Sequence, residues 1–166
     1  MNMKGTCSNC GNEARVVRGD YEFKESGLPV ILKGIELIKC PACGNEDPVI
    51  PKLNQMMRVL ALAVISKRYR LQGEDVRFLR KYVKLTGEEF AGLLNIDRTT
   101  LSKWETNADP VGDQSDRLIR VIAVGLGKGL KPELERIVRD FPGIKDEFKN
   151  VGINVNTDKL EYEYAA

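Results

Sequence analysis

Cys7-Ser8-Asn9-Cys10-Gly11-Asn12-Glu13 is repeated thirty-three positions later as Cys40-Pro41-Ala42-Cys43-Gly44-Asn45-Glu46. The two copies hold all four cysteines of the chain. Two C-x-x-C pairs are the sequence form of a two-knuckle zinc site, because each pair can place two thiolates on one side of a tetrahedron. The glycine after each second cysteine fits the turn, since it can take positive φ and fold backbone N–H groups toward the sulfurs. The spacing exceeds the roughly 15–20 residues usual between such pairs, so further structure is expected between the knuckles.

Other uses of four cysteines fit less well. Disulfides suit secreted chains, and Met1-Asn2-Met3-Lys4-Gly5-Thr6 lacks the apolar stretch of a secretion signal, so a cytoplasmic protein is expected. A thioredoxin-like motif occurs once, opening a helix, and does not come as two copies followed by glycine. A rubredoxin-like iron site uses the same ligands. Cys7, Cys10, Cys40 and Cys43 are therefore expected to hold structural zinc. Four thiolates leave no open position for water, so the site is expected to be closed and non-catalytic.

The 166 residues allow one domain or two small ones and include no histidine, which removes Ser-His-Asp, Cys-His and histidine–metal chemistry. No phosphate loop or carboxylate constellation stands in their place, so no enzyme is expected. The net charge is only +2, but it is unevenly distributed. Residues 1–50 carry 6 basic and 7 acidic side chains, residues 51–131 carry 15 and 9, and residues 132–166 carry 5 and 8. The positive middle is the footprint expected of a polyanion-binding module, unless its charges only solvate helix faces.

Residues 1–50 read as a small β-rich zinc-binding domain. Strand pieces are predicted at Arg15–Arg18 and Tyr21–Lys24 around Gly19-Asp20, and an apolar run from Val30 to Ile38 is interrupted by Gly34. A domain this small needs its metal for stability. Pro48 and Pro51 mark a boundary. Residues 51–72 read as a helical linker whose helix, Leu53 to Ile65, is apolar nearly all round, which predicts burial in its own chain or in a dimer seam. That run is too short to span a bilayer, and no membrane association is expected. Residues 73–141 read as wholly helical, with Pro132 in the first turn of the last helix. Residues 142–166 form a C-terminal extension in which alternation from Ile153 to Tyr164 suggests a hairpin.

Within the helical part, Leu85-Thr86-Gly87-Glu88-Glu89-Phe90-Ala91-Gly92-Leu93-Leu94-Asn95-Ile96-Asp97-Arg98-Thr99-Thr100-Leu101-Ser102-Lys103-Trp104-Glu105 is the second strong signal. Thr86 and Glu89 make a capping box that starts a helix. Asn95 tolerates the left-handed conformation that ends one, and Asp97 can cap the next. Ile96, Leu101 and Trp104 give that second helix an apolar face, leaving Arg98, Thr99, Ser102 and Lys103 outside. A short helix with polar and cationic residues near its start is what the major groove accepts.

This stretch resembles the helix-turn-helix of the Xre/Cro, lambda-repressor-like family, with the pattern Leu-Thr-Gln-x-x-x-Ala, then Gly-Val-Ser-x-x-x-Ile-Ser-x-Trp-Glu. Gly87 stands where the family has Gln, Asn95 replaces the turn Gly, and Thr106-Asn107-Ala108-Asp109-Pro110 lacks the usual basic residues. The resemblance implies base-reading roles for Arg98, Thr99 and Lys103, and DNA-backbone roles for Thr86, Thr100, Ser102, Arg77 and Lys81. Arg80 and Lys84 are further phosphate candidates. The implied fold class is α+β, a small β-rich four-cysteine zinc domain followed by an all-α lambda-repressor-like domain. The combination also resembles MqsA-type antitoxins with a YgiT-type zinc finger, through Cys7, Cys10, Tyr21-x-Phe23, Val30-Ile31-Leu32-Lys33-Gly34-Ile35, Cys40 and Cys43. That resemblance implies a zinc domain binding a ribonuclease-type toxin, and a homodimer repressing its operon on a palindromic operator, with Ser115 to Leu126 in the dimer. One such motif reads only a half-site, which independently favours a homodimer. The alternative is a stand-alone Xre-family regulator whose zinc domain binds a ligand or another protein.

Overall fold

Val30, Leu32, Ile35 and Leu37 all face the interior, although strict alternation along a strand would put the last two on the opposite face. A bulge resolves the conflict. In strand β3 (Val30–Lys39), Lys33 and Gly34 together oppose Asp20 of strand β2 (Glu13–Glu22), and the extra residue restores the apolar side after it. Gly34 takes φ +61, and the Asp20 carboxylate accepts from the Gly34 N–H (3.0 Å) and from Lys33 Nζ (2.8 Å). The sequence reading split each strand at these positions. The side chain of Asp20 instead bridges the irregularity, so both strands run through.

The computed structural model describes residues 4–166 and is a mixed α+β fold; the reading placed on Met1-Asn2-Met3 lies outside these residues. Strand β1 (Lys4–Thr6) pairs antiparallel with β2, and β4 (Glu46–Val49) pairs antiparallel with the far half of β3. The near half of β3, Val30 to Lys33, pairs in parallel with β5 (Ile153–Asn156), which forms an antiparallel hairpin with β6 (Glu161–Tyr164). The suggested C-terminal hairpin therefore exists, and it completes the sheet begun by the strands that flank the cysteine turns.

Six helices follow β4: α1 (Leu53–Ile65), α2 (Gly73–Tyr82), α3 (Gly87–Leu94), α4 (Arg98–Glu105), α5 (Asp113–Leu126) and α6 (Leu134–Asp140). None is long and apolar enough to cross a membrane among the described residues. Helix α1, read as a linker, is buried between the β5–β6 hairpin on one side and α2 and α5 on the other. Its all-round apolar character reflects these two packing surfaces. One hydrophobic core runs from Val30 and Leu32 through Met56 and Leu60 to Ile119 and Ala123.

The segment joining α1 to α2 is held by buried charge. Arg120 of α5, 1% exposed, donates to the carbonyls of Ile65 (2.6 Å), Lys67 (2.7 Å) and Tyr69 (2.7 Å) and pairs with Asp116 at 2.7 Å. These carbonyls lie at and just beyond the C-terminal end of α1, where the helix itself supplies no donors. Asp116 also accepts the Leu71 N–H (2.6 Å), and Lys67 pairs with buried Asp75 at 2.6 Å. Burial raises the Asp75 carboxyl above its ordinary pKa, against the pull of Lys67. Several of the middle segment's positive charges are thus neutralised internally and do not contribute to a polyanion footprint. Residues 144–150 then strap across this segment. Lys145 N–H donates to Arg68 O (2.8 Å), Arg70 N–H to Glu147 O (2.9 Å), and Arg70 pairs with Asp146 (2.8 Å) beneath the Phe148 ring.

Candidate functional site

The four cysteines occupy two turns of identical backbone. In the β1–β2 turn, Cys7 N–H donates to Asn12 O (2.9 Å) and Gly11 N–H to Cys7 O (3.0 Å). In the β3–β4 turn, Cys40 N–H donates to Asn45 O and Gly44 N–H to Cys40 O, both 2.9 Å. Gly11 and Gly44 take φ +72 and +74, a region that favours glycine. The repeated Asn closes each turn with its backbone carbonyl, and its side-chain amide donates within the cluster, from Asn12 to Cys10 Sγ and from Asn45 to Ser8 Oγ.

All four sulfurs lie within 4.8 Å of one another. Cys7 Sγ is 3.6 Å from Cys43 Sγ, and Cys10 Sγ is 3.5 Å from Cys40 Sγ. These separations far exceed a disulfide bond of about 2.05 Å. They approach the edge of about 3.8 Å expected for a tetrahedron with metal–sulfur bonds near 2.3 Å. The donor set can therefore hold a metal ion such as zinc. Asn9 N–H points at Cys7 Sγ (3.4 Å), Asn12 Nδ2 at Cys10 Sγ (3.4 Å) and Asn9 Nδ2 at Cys43 Sγ (3.7 Å), donors that favour thiolates. The Asn12 backbone N–H, helped by the Cys43 thiol, lowers Cys10 to about 6. For Cys40 the Cys43 backbone N–H also favours the thiolate, but burial and sulfur partners outweigh it and push the group to about 11. Binding a dication here would draw the remaining thiol protons off the cluster. Ser8 Oγ links the turns by donating to Asp47 (2.5 Å) and accepting from Asn45 (3.4 Å). Sequence reasoning did not single out these polar partners; the recurrence of Asn in both copies was the available signal.

The second site is the α3–α4 pair. Thr86 accepts the Glu89 N–H (3.2 Å) while Glu89 accepts the Thr86 N–H (2.7 Å), completing the expected box. Thr86 Oγ also donates to Glu89 (2.9 Å), so the hydroxyl proposed for DNA backbone contact is already engaged. Thr86→Ala is expected to lower stability by about 1 kcal/mol, measured by urea denaturation. Hydrogen bonds from Thr86 hold the Glu89 carboxyl below its usual pKa. A depressed folded-state pKa gives stability present above the unfolded pKa and lost as pH falls, and this acid sensitivity should weaken but persist in the same variant, because the backbone N–H at position 86, the larger cause, is retained.

Asn95 ends α3 at φ +53, as expected. Asp97 occupies the cap position of α4, but its side chain makes no capping bond. Leu101 and Trp104 are buried and Ala91 is 3% exposed, while Arg98, Thr99, Ser102 and Lys103 lie outside and Thr100 is half-buried. Arg98 lies over Gly87, with Nε 3.9 Å from Glu88 Oε1, and Lys103 Nζ is 3.5 Å from Asp109. Lys81 is exposed on α2, whereas Arg77 is half-exposed and donates to Glu105 O (3.0 Å). Arg80 stands apart from this surface. It is 14% exposed and grips the Glu105 carboxylate at 2.6 and 3.2 Å, bracing α2 against α4. Asn107 was also missed by sequence reasoning. In the loop without basic residues, it accepts the Gly73 N–H (2.7 Å) at the start of α2.

No protein-family model, no curated protein and no solved structure matches this chain.

Proposed function

We propose that this protein is a sequence-specific DNA-binding transcriptional repressor, whose α3–α4 pair is a helix-turn-helix and whose four cysteines hold structural zinc. The observation that carries the reading is the division of α4. Leu101 and Trp104 anchor one face, and Arg98, Thr99, Ser102 and Lys103 are exposed on the other. Arg98 and Lys103 can donate to guanine O6 and N7, and Thr99 can bond a base or touch a thymine methyl. Lys81, Arg77 and Ser102 are the DNA-backbone candidates with free surface.

The protein acts as a homodimer in this reading, because a single eight-residue reading helix covers only a half-site. Leu118 and Leu126 on α5 and Leu93 on α3 are 42%, 55% and 51% exposed, apolar surface of the kind a second copy covers. Antitoxin duty is the finer proposal. Residues 1–50 have no basic excess, which suits a cysteine-bearing half that faces a protein such as a ribonuclease-type toxin, not DNA. Co-purification with the product of an adjacent small gene tests that part, and loss of binding on deleting the protein's metal cluster supports it.

The DNA reading is tested by gel shift on the protein's own promoter. Wild type should shift it in a salt-dependent manner, and the Arg98→Ala/Lys103→Ala variant should not. Lys103→Ala alone should cost about 1–3 kcal/mol and relax preference at one base pair. Equal loss on promoter and random DNA would remove the base-reading role, and no shift at low salt would overturn the function.

A further inference from the structure

We infer that Gly87 is a positioning residue for recognition: it seats the Arg98 guanidinium against the start of α3 and thereby sets the base-pair preference that Arg98 reads. This rests on the DNA-reading function proposed above.

Gly87 opens α3 directly after the capping residue Thr86, and it is buried. Glycine is a poor choice in a helix unless the backbone or the space requires it. The backbone does not require it, because Gly87 is absent from the glycines with positive φ. Space does. A Cβ added at Gly87 would fall on the guanidinium of Arg98, 2.7 Å from Nη2 and nearer still to Nε and Cζ. The atoms met are the far end of a side chain that can move, so the guanidinium and not the backbone would give way, and it would leave its place near Glu88, whose Oε1 is 3.9 Å from Nε.

Arg98 is the first residue of α4, and α4 is fixed by the burial of Leu101 and Trp104. The side chain is 44% exposed, so part of it is packed on Gly87 and part is open to a ligand. An arginine carries about 2 kcal/mol of rotamer entropy when free, and holding it in one place before binding lowers the cost of ordering it on a base. The guanidinium fork must also be aimed to make the bidentate bond that distinguishes guanine. Gly87 supplies that aim by contributing no side chain. A Cβ there pushes the fork away.

The test compares wild type, Gly87→Ala, Arg98→Ala and the double variant, each selected against a randomised operator library and measured on the recovered site and on random DNA. Gly87→Ala is expected to lose about tenfold on the selected site. It should flatten preference at the same base pair as Arg98→Ala, leave random-DNA affinity unchanged and not lower the thermal midpoint. The double variant should be no worse than Arg98→Ala alone. Losses that add, or a preference unmoved by Gly87→Ala, overturn the positioning role. Relaxation of the Arg98 Nε–H signal in the DNA-free protein gives an independent readout. The side chain should be ordered in wild type and mobile in Gly87→Ala, and equal order in both overturns the seating whatever happens on DNA. A wild type that selects no sequence overturns the DNA reading and this role with it, and the relaxation data then show whether the seating exists without that use.

Discussion

Cys40→Ser, or stripping the metal with a strong chelator, is expected to unfold the β1–β2 and β3–β4 hairpins while the helices persist. The reason is the scale of the local core. Around the cysteines it consists of Cys7, Ala14 and Cys40, with Ile38 packed against them, and β1 is three residues long. So small a cluster cannot repay the ordering of two hairpin ends, at about 1–2 kcal/mol per residue. A structural zinc supplies about 10–16 kcal/mol in isolated zinc-finger peptides, comparable to the whole stability of an ordinary domain. Most of β3 is different. Val30, Leu32, Ile35 and Leu37 belong to the main core, and Val30 and Leu32 also pair with β5, so residues 30–37 should remain protected. Amide exchange should therefore rise sharply in residues 5–16 and 38–49 and little in α2 to α5. One metal per chain should be released, with proton uptake at the cysteines. Retention of a full metal equivalent and of slow exchange in Cys40→Ser would refute the proposed ligand set.

Arg120→Met is the second large effect, with an expected loss of about 3–5 kcal/mol in urea denaturation. Methionine reproduces the alkyl stem and lacks only the guanidinium head, so the packing of the stem is kept. Asp116, itself 1% exposed, is left as a buried charge without its partner, and the carbonyls of Ile65, Lys67 and Tyr69 lose their donor together. Arg120→Lys should recover little, because one ammonium cannot reproduce a planar fork that serves a carboxylate and three carbonyls. A loss below about 1 kcal/mol would mean that water reaches these groups and that the segment is not held as described. Arg98 and Lys103 lie outside this network, so any residual folded Arg120→Met should still shift the promoter.

Much of this molecule is legible in its local sequence, and the reason is that the legible parts are short-range. The two knuckles close through bonds between residues four and five apart, and the repeated Gly reports their turn geometry directly. The capping box of Thr86 and Glu89, the left-handed Asn95 and the burial pattern of Leu101 and Trp104 likewise depend on neighbours within one or two turns. Periodicity also identified α1, because a helix apolar on every side has to be covered on every side. Asp97 shows the limit even here. Its position as a cap was readable, but whether its side chain would make the bond was not.

Charge was the least transferable signal. Lys67, Arg70, Arg80 and Arg120 count as basic in any composition, yet they are consumed by Asp75, Asp146, Glu105 and Asp116. Most of these partners lie eight to seventy-six positions away, so no local window could have paired them. The same distance explains why Arg80 looked like a phosphate contact and is a brace.

By itself, then, the amino-acid sequence determined the cysteine turns, the helix boundaries around residues 86–105 and the faces those helices bury, since each is set by backbone preference and short spacing. Only the tertiary structure decided what residues 51–72 and 142–166 do. The first becomes the central buried helix, and the second returns as β5 and β6 beside β3, joining the cysteine strands and the helices over one core. Pairing Val30 with Ile153 is a choice among many strand edges of similar local character. It is made by which arrangement covers α1 on both sides, and that property belongs to the folded chain as a whole.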